Sequence, residues 1–239
     1  VERENIGVIK MEVMRNMPPK DDFLIKVRNL ANEKGIILIF DECTSGFRET
    51  FGGLHKKYLV EPDIAVFGKA LGNGYAITAV VGRSEIMQFA QSTFISSTFW
   101  TERIGPTAAL ATLKVMEREK SWKKITHTGR KMQNGWLSLA ANHDLDINVV
   151  GIPAMSSYSF NSRNSMEYKT LITQEMLKKG FLASTIFYAC TEHTDEHLSN
   201  YFDELDKIYK TISECESERL NINTLLEGPV CHAGFRRLN

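Results

Sequence analysis

Residues 36–83 read IILIFDECTSGFRETFGGLHKKYLVEPDIAVFGKALGNGYAITAVVGR, and three short apolar runs within them decide the fold. Ile36–Phe40, Ile64–Phe67 and Ile77–Val81 are rich in β-branched residues and have Gly or Pro nearby, which suits buried strands better than helices. Upstream, Ile6, Val8 and Ile9 predict a strand running into Met11-Glu12-Val13, and Met17-Pro18-Pro19 then interrupts regular structure. Asp21 or Asp22 is the expected cap of a helix through Lys34, with Phe23, Val27, Leu30 and Ala31 on its apolar face and Gly35 closing it. Strand, helix, strand is the unit of a parallel sheet with a right-handed crossover. In such sheets ligands bind beyond the carboxyl ends of the strands, and that is where Asp41 and Lys69 fall.

Composition narrows the function further. Lys and Arg total 29, as do Asp and Glu, so charge gives no reason to expect nucleic acid or an anionic membrane as a partner. The apolar runs are too short to span a bilayer, and the first residues do not read as a signal peptide. Cys43, Cys190, Cys215 and Cys231 have no CxxC spacing, so reduced thiols and a cytoplasmic location are expected. His193 and His232 lack companions at ligand spacing, and no metal site is expected.

An acid and an amine at strand ends fit one chemistry well, a Schiff base between Lys69 and pyridoxal phosphate (PLP) with Asp41 pairing the ring nitrogen. The carboxylate would keep that nitrogen protonated, and burial would favour the neutral, nucleophilic amine. Gly68, Gly72 and Gly74 would let backbone and cofactor approach closely. Taken singly, each residue has a plainer reading, Asp41 as a turn or capping residue and Lys69 as a surface charge.

The segments D-E-x-x-[ST]-G-F-R (Asp41–Arg48), P-D-I (Pro62–Ile64) and G-K-x-L-G-N-G (Gly68–Gly74) occur in order. Together they resemble the class III (subgroup II) PLP-dependent aminotransferases, near the glutamate-1-semialdehyde aminomutase-like branch. The resemblance implies fold type I: part of a mostly parallel α/β large domain (1–122), then a small α+β C-terminal domain (123–239). It implies that Lys69 and Asp41 are catalytic and that Thr98 reaches a phosphate in a partner subunit's site, while Cys43, two past Asp41 and so on the same strand side, is expected to press on the cofactor ring where relatives usually carry an apolar residue. It further implies a homodimer when full length, acting on a small-molecule amino donor and a carbonyl acceptor. Intramolecular amino transfer, as in the aminomutases, is the alternative.

Glu12-Val13 stands where the family has a strand-end Glu-Pro, and Arg103 where many relatives have proline. The family's glycine-rich phosphate-binding turn finds no counterpart here. The chain therefore reads as the C-terminal part of such an enzyme, inactive alone, and a degenerate interaction module is the reading from another class.

The remaining residues read as follows. Glu42 supports the site or pairs with Arg48, itself a structural ion pair or carbonyl clamp, and His55 beside Lys56 and Lys57 reads as exposed helix surface. Phe99 and Trp100 line a substrate pocket or pack at an interface. Gly105-Pro106 opens a helix through about Glu119, and 121–142, 168–179 and 195–215 are further helices. Strands are expected at 146–150, 155–160 and within 181–188, and the Gly228–Phe235 ending fits one subset of the family.

Overall fold

The computed structural model describes residues 6–99 and 101–232, so Trp100 and the end of the Gly228–Phe235 segment lie outside the described residues. The chain divides into two compact units, Val1–Lys124 and Ile125–Asn239.

In the first unit the apolar runs form a four-stranded sheet in the order β1 (Val8–Glu12), β2 (Ile37–Asp41), β3 (Ile64–Phe67), β4 (Ala79–Gly82). β1, β2 and β3 are parallel, and Glu12, Asp41 and Val66 lie level at their carboxyl ends. β4 runs antiparallel to β3 and begins at Ala79, because Ile77 is taken up in packing against the Gly72 turn. Its Val80 and Val81 are exposed, so the third run is not the buried strand its composition predicts.

Helix α1 (Phe23–Lys34) lies against β2, and Gly35 ends it at φ 65°. Two details differ from the sequence reading. Asp21 and Asp22 both have positive φ, and Asp22 precedes the helix without a side-chain capping bond. Leu24 and Ala31 are buried and Val27 and Leu30 half-buried, so the expected stripe holds except at its start, where Leu24 turns inward and Phe23 is left exposed. Leu38 and Phe40 are fully buried on one sheet face, and Ala65, Phe67 and Leu71 cluster with Ala109 of helix α3 (Ile104–Glu119). The described residues between β4 and α3 hold a short helix, α2 (Ser84–Met87), a 3-10 turn (Gln88–Ser92) and irregular turns. α3 starts where Glu102 accepts hydrogen bonds from the backbone N–H groups of Ile104 and Gly105, satisfying donors that a helix end leaves free.

The second unit is α+β. Helices α4 (Ser121–Asn142), α5 (Ser165–Lys178) and α6 (Asp195–Glu216) accompany an antiparallel sheet ordered β5 (Ile147–Ile152), β6 (Met155–Phe160), β7 (Ile186–Tyr188). Buried Ile125, Met132, Trp136 and Ala140 recur at helical spacing along α4. Trp136, Tyr158, Phe160, Tyr168 and Tyr209 build an aromatic core, in which the Trp136 indole N–H donates to the Tyr201 hydroxyl at 3.0 Å. Thr194 and His197 cap α6 reciprocally. Among the described residues no helix is long and apolar enough to cross a membrane.

Asp63, at the mouth of β3, is 4% exposed and ties the first unit together. Its carboxylate accepts from the Leu38 N–H and from Arg28, each at 2.8 Å, and from Arg83 at 3.1 Å. Burial would raise its pKa, but the Leu38 N–H and the Arg28 guanidinium outweigh that and hold it below the usual value. Folding lowers this pKa, so the stabilisation is complete above the unfolded value of about 4 and disappears as pH falls through the lower folded value. Asp63→Asn is expected to cost on the order of 3 kcal/mol at pH 7, with a smaller gap to wild type at pH 3. Denaturant melts at the two pH values check this, and equal stability at pH 7 would remove the carboxylate from that role.

Candidate active site

β2 ends in two adjacent carboxylates whose surroundings differ sharply. A strand alternates its side chains between faces, so Asp41 and Glu42 leave in different directions. Glu42 is fully buried and accepts from the His55 N–H and His55 Nδ1, each at 2.9 Å, and from the Ser45 hydroxyl. Burial raises the pKa of this carboxyl, but the His55 and Ser45 donors more than offset it, and the group is ionised. The sequence reading of His55 as exposed surface is wrong. The residue is 5% exposed, because Glu42 supplies a buried partner that a glance at Lys56 and Lys57 does not suggest. Of the two readings of Glu42, the structure gives it these partners within its own segment and the turn at Leu54–Tyr58.

Glycines make this knot possible. A Cβ on Gly46 would stand 2.7 Å from both the Glu42 carbonyl and the Phe67 ring, and one on Gly53 would meet the His55 ring at 2.3 Å. Gly46 and Gly53 are therefore packing requirements, the first against the end of β3.

Asp41 remains available on the rim. Its Oδ1 accepts from the Cys43 N–H at 3.1 Å and its Oδ2 pairs with Lys10 Nζ at 3.1 Å. Burial pushes its pKa up, but the Cys43 N–H and the Lys10 ammonium bring it below the ordinary value, so it presents a carboxylate at neutral pH. Burial, with the neighbouring Asp41 charge, raises the pKa of the Cys43 thiol. Its Sγ faces Gly68, where an added Cβ would lie 3.4 Å away.

Lys69 stands one residue past β3, after Gly68, and sits at φ 45°, a left-handed conformation uncommon for a side-chain-bearing residue. Its carbonyl accepts from the N–H groups of Gly72 and Asn73, closing a tight turn, and its Nζ donates to Thr44 Oγ1 at 2.6 Å. The amine is thus tied to Thr44 and the carboxylate to Cys43, consecutive residues of one segment. Lys69 is exposed, so the burial counted on to favour a neutral amine is not provided by the described residues of this unit. Thr98 lies in an exposed turn, and none of the hydrogen bonds around Asp41 and Lys69 reaches it among the described residues.

An amine and a carboxylate anchored on one strand-end segment are what the motifs imply, and residues 14–208 match the family described as Aminotransferase class-III. The chain belongs to that family. Among curated relatives, a 3-aminobutyryl-CoA aminotransferase of Cloacimonas acidaminovorans is 37% identical over 76% of this chain and 45% of its own length. A glutamate-1-semialdehyde 2,1-aminomutase of Methanosphaera stadtmanae is 31% identical over 88% of this chain and 53% of its own. The class-III chain thus spans about half the length of the curated relatives it matches.

Solved structures place its fold among the PLP-dependent transaminases of fold type I. The FumI protein of Sphingopyxis sp. MTA144, in its PLP internal aldimine form, superposes with a TM-score of 0.79 at 19% identity, covering 92% of this chain and 55% of that one. An S-selective transaminase from Arthrobacter sp. with alanine bound gives 0.72 at 20% identity, over 87% and 52% of the two chains.

Lys10 and Thr44 escaped the sequence reading. Lys10 reaches Asp41 only through the β1–β2 register, and Thr44 was hidden inside a motif whose flanking residues carried the attention.

Removing the His55 side chain leaves the buried Glu42 carboxylate short of one donor. His55→Ala is expected to cost about 2 kcal/mol, with partial recovery in His55→Gln. Thermal or urea melts of the two variants check this, and a neutral alanine variant would show that the pair contributes nothing.

Proposed function

We propose that this chain carries the lysine and the ring-pairing aspartate of a PLP-dependent aminotransferase, moving an amino group between a small-molecule amino donor and a carbonyl acceptor. The observation that carries the reading is the tethering of Lys69 and Asp41 to the single segment Asp41–Thr44, in a chain of the class-III family. The donor set fits the cofactor. Asp41 is an ionised carboxylate on the rim, Lys69 is an accessible amine, and Gly68 leaves open the space over Cys43 that a Cβ would fill. When bound, PLP supplies an aldehyde for amines and a ring that takes up the electron pair left at a substrate Cα.

In that setting Lys69 Nζ would hold the cofactor through its aldehyde carbon and would serve as the base for the proton on the substrate Cα. Thr44 Oγ1 orients Nζ for both tasks. Asp41 holds the proton on the ring nitrogen, and Cys43 fixes one oxygen of that carboxylate while presenting its sulfur beside Gly68. Intramolecular transfer, the aminomutase alternative, uses the same groups and differs in whether the keto product leaves.

Residues 1–122 then form part of the cofactor-binding large domain and residues 123–239 the small domain, in a cytoplasmic homodimer. Phe89, Phe94, Ile95 and Phe99 are exposed, which a second copy would cover while taking Thr98 to its phosphate. The sheet face bearing Ile37, Ile39, Ile64 and Val66 is only half-buried, although parallel sheets are ordinarily covered on both faces. That exposure supports reading the 239 residues alone as an incomplete and inactive site, the interaction-module alternative being its limit.

Two experiments test the reading. The 239-residue chain should bind PLP weakly, without turnover of amino donors, and borohydride reduction at high PLP should place the phosphopyridoxyl mass on Lys69 ahead of other lysines. Peptide mapping that spreads the label evenly would overturn the assignment, and tight stoichiometric binding with turnover would overturn the incompleteness. In the complete enzyme, Asp41→Asn is expected to slow single-turnover deamination on the order of a hundredfold, with cofactor still retained. A rate equal to wild type would make Asp41 a structural residue.

A further inference from the structure

Both oxygens of Asp41 already have partners, and one of those partners is a cation. β1 and β2 pair in parallel with Lys10 level with Ile39 and Glu12 level with Asp41. Lys10, Glu12, Ile39 and Asp41 therefore share one sheet face, and Lys10 crosses the diagonal to Asp41 Oδ2 at 3.1 Å. Oδ1 is held by the Cys43 N–H on the other side. The titratable groups around this carboxylate are Lys10 and Glu12 from β1, Cys43 from its own segment and Lys69 after β3, while its partner on β3 is the apolar Val66.

A protonated ring nitrogen is a cation as well. Brought to the same carboxylate, it meets an ammonium already seated on Oδ2, and the two like charges repel while sharing one negative partner. A carboxylate oxygen accepts more than one hydrogen bond, so the obstacle is charge and not a lack of lone pairs. The Lys10 side chain is 59% exposed, which leaves it free to turn outward into water at small cost.

We propose that Lys10 is a positioning residue that holds Asp41 ionised and oriented and competes with a cationic ring nitrogen for its carboxylate. This rests on the PLP reading of the site. Its consequence is directional: Lys10 weakens the hold of Asp41 on the ring, easing release, and a neutral side chain there tightens it. An ordinary structural surface pair would leave cofactor affinity unchanged.

The test uses the 239-residue chain with Lys10→Met and Lys10→Arg, each with and without Asp41→Asn. Carbon-13 NMR of labelled aspartate should show the Asp41 carboxyl titrating at higher pH in Lys10→Met and near wild type in Lys10→Arg. Titration with PLP, followed by absorbance, should show Lys10→Met binding roughly two- to fivefold tighter, as removal of an exposed ion pair allows. Lys10→Arg should match wild type, and the gain should vanish in the Asp41→Asn background. An unmoved carboxyl titration, or unchanged PLP affinity beside a moved one, would overturn the proposal. Borohydride labelling run on the same samples separates the two readings. Label absent from Lys69 in wild type defeats the PLP assignment itself, whereas label on Lys69 with no Lys10 effect defeats only the role of Lys10.

Discussion

Parallel, in-register pairing of β2 with β1 and β3 brings Glu12, Asp41 and Val66 to one level. Each backbone hydrogen bond in that ladder is individually modest, but a slip of one residue would turn every side chain to the other face. Leu38 and Phe40 would leave the fully buried face, and Asp41 would be driven into it as an unpaired charge. The burial of those two apolar residues therefore fixes the register, and the register fixes where the carboxylate and the amine emerge. Asp63 reinforces the arrangement from the opposite end of β3, since its carboxylate accepts the Leu38 N–H and two arginines.

The consecutive acids at the end of β2 show how environment divides labour between like residues. Glu42 is enclosed and supplied with donors, so its charge is spent on holding the segment that follows β2 against the Leu54–Tyr58 turn. Asp41 is left on the rim with one backbone donor and one exposed ammonium. Rigid support next to an accessible charge is what a site needs to present a carboxylate without reorganising. Burying both acids would demand more donors than this segment contains, and exposing both would leave the loop unanchored.

The strands and the long helices were legible because they rest on local signals: β-branched runs near glycine and proline, and apolar residues at helical spacing. Asp41 and Lys69 were legible for the same reason, since each stands at the end of such a run. What could not be read depends on pairing between distant segments. His55 looks exposed beside two lysines until Glu42, thirteen positions earlier, is placed against it. Lys10 acquires meaning only through the β1–β2 register, and the third run was read as buried because an apolar run does not reveal whether anything covers it. The buried stripe of α1 begins at Leu24 and not at Phe23, because the two are equally apolar and only packing on β2 chooses between them.

Strain at Lys69 is the last element of the arrangement. A side-chain-bearing residue in the left-handed region costs on the order of 1–2 kcal/mol, and Asn73, at the far end of the turn, repeats the positive φ at 46°. The fold supports that cost through what surrounds the turn. Leu71 is buried with Phe67 and Ala109, two N–H groups converge on the Lys69 carbonyl, and Gly72 accepts the close approach of Tyr75 and Ile77 where a Cβ would collide. Relaxing Lys69 to an ordinary helical or extended conformation would therefore break the turn and withdraw Leu71 from its cluster. The backbone is held from both sides, while the exposed side chain reaches Thr44 through its amine and takes no part in the core beneath it.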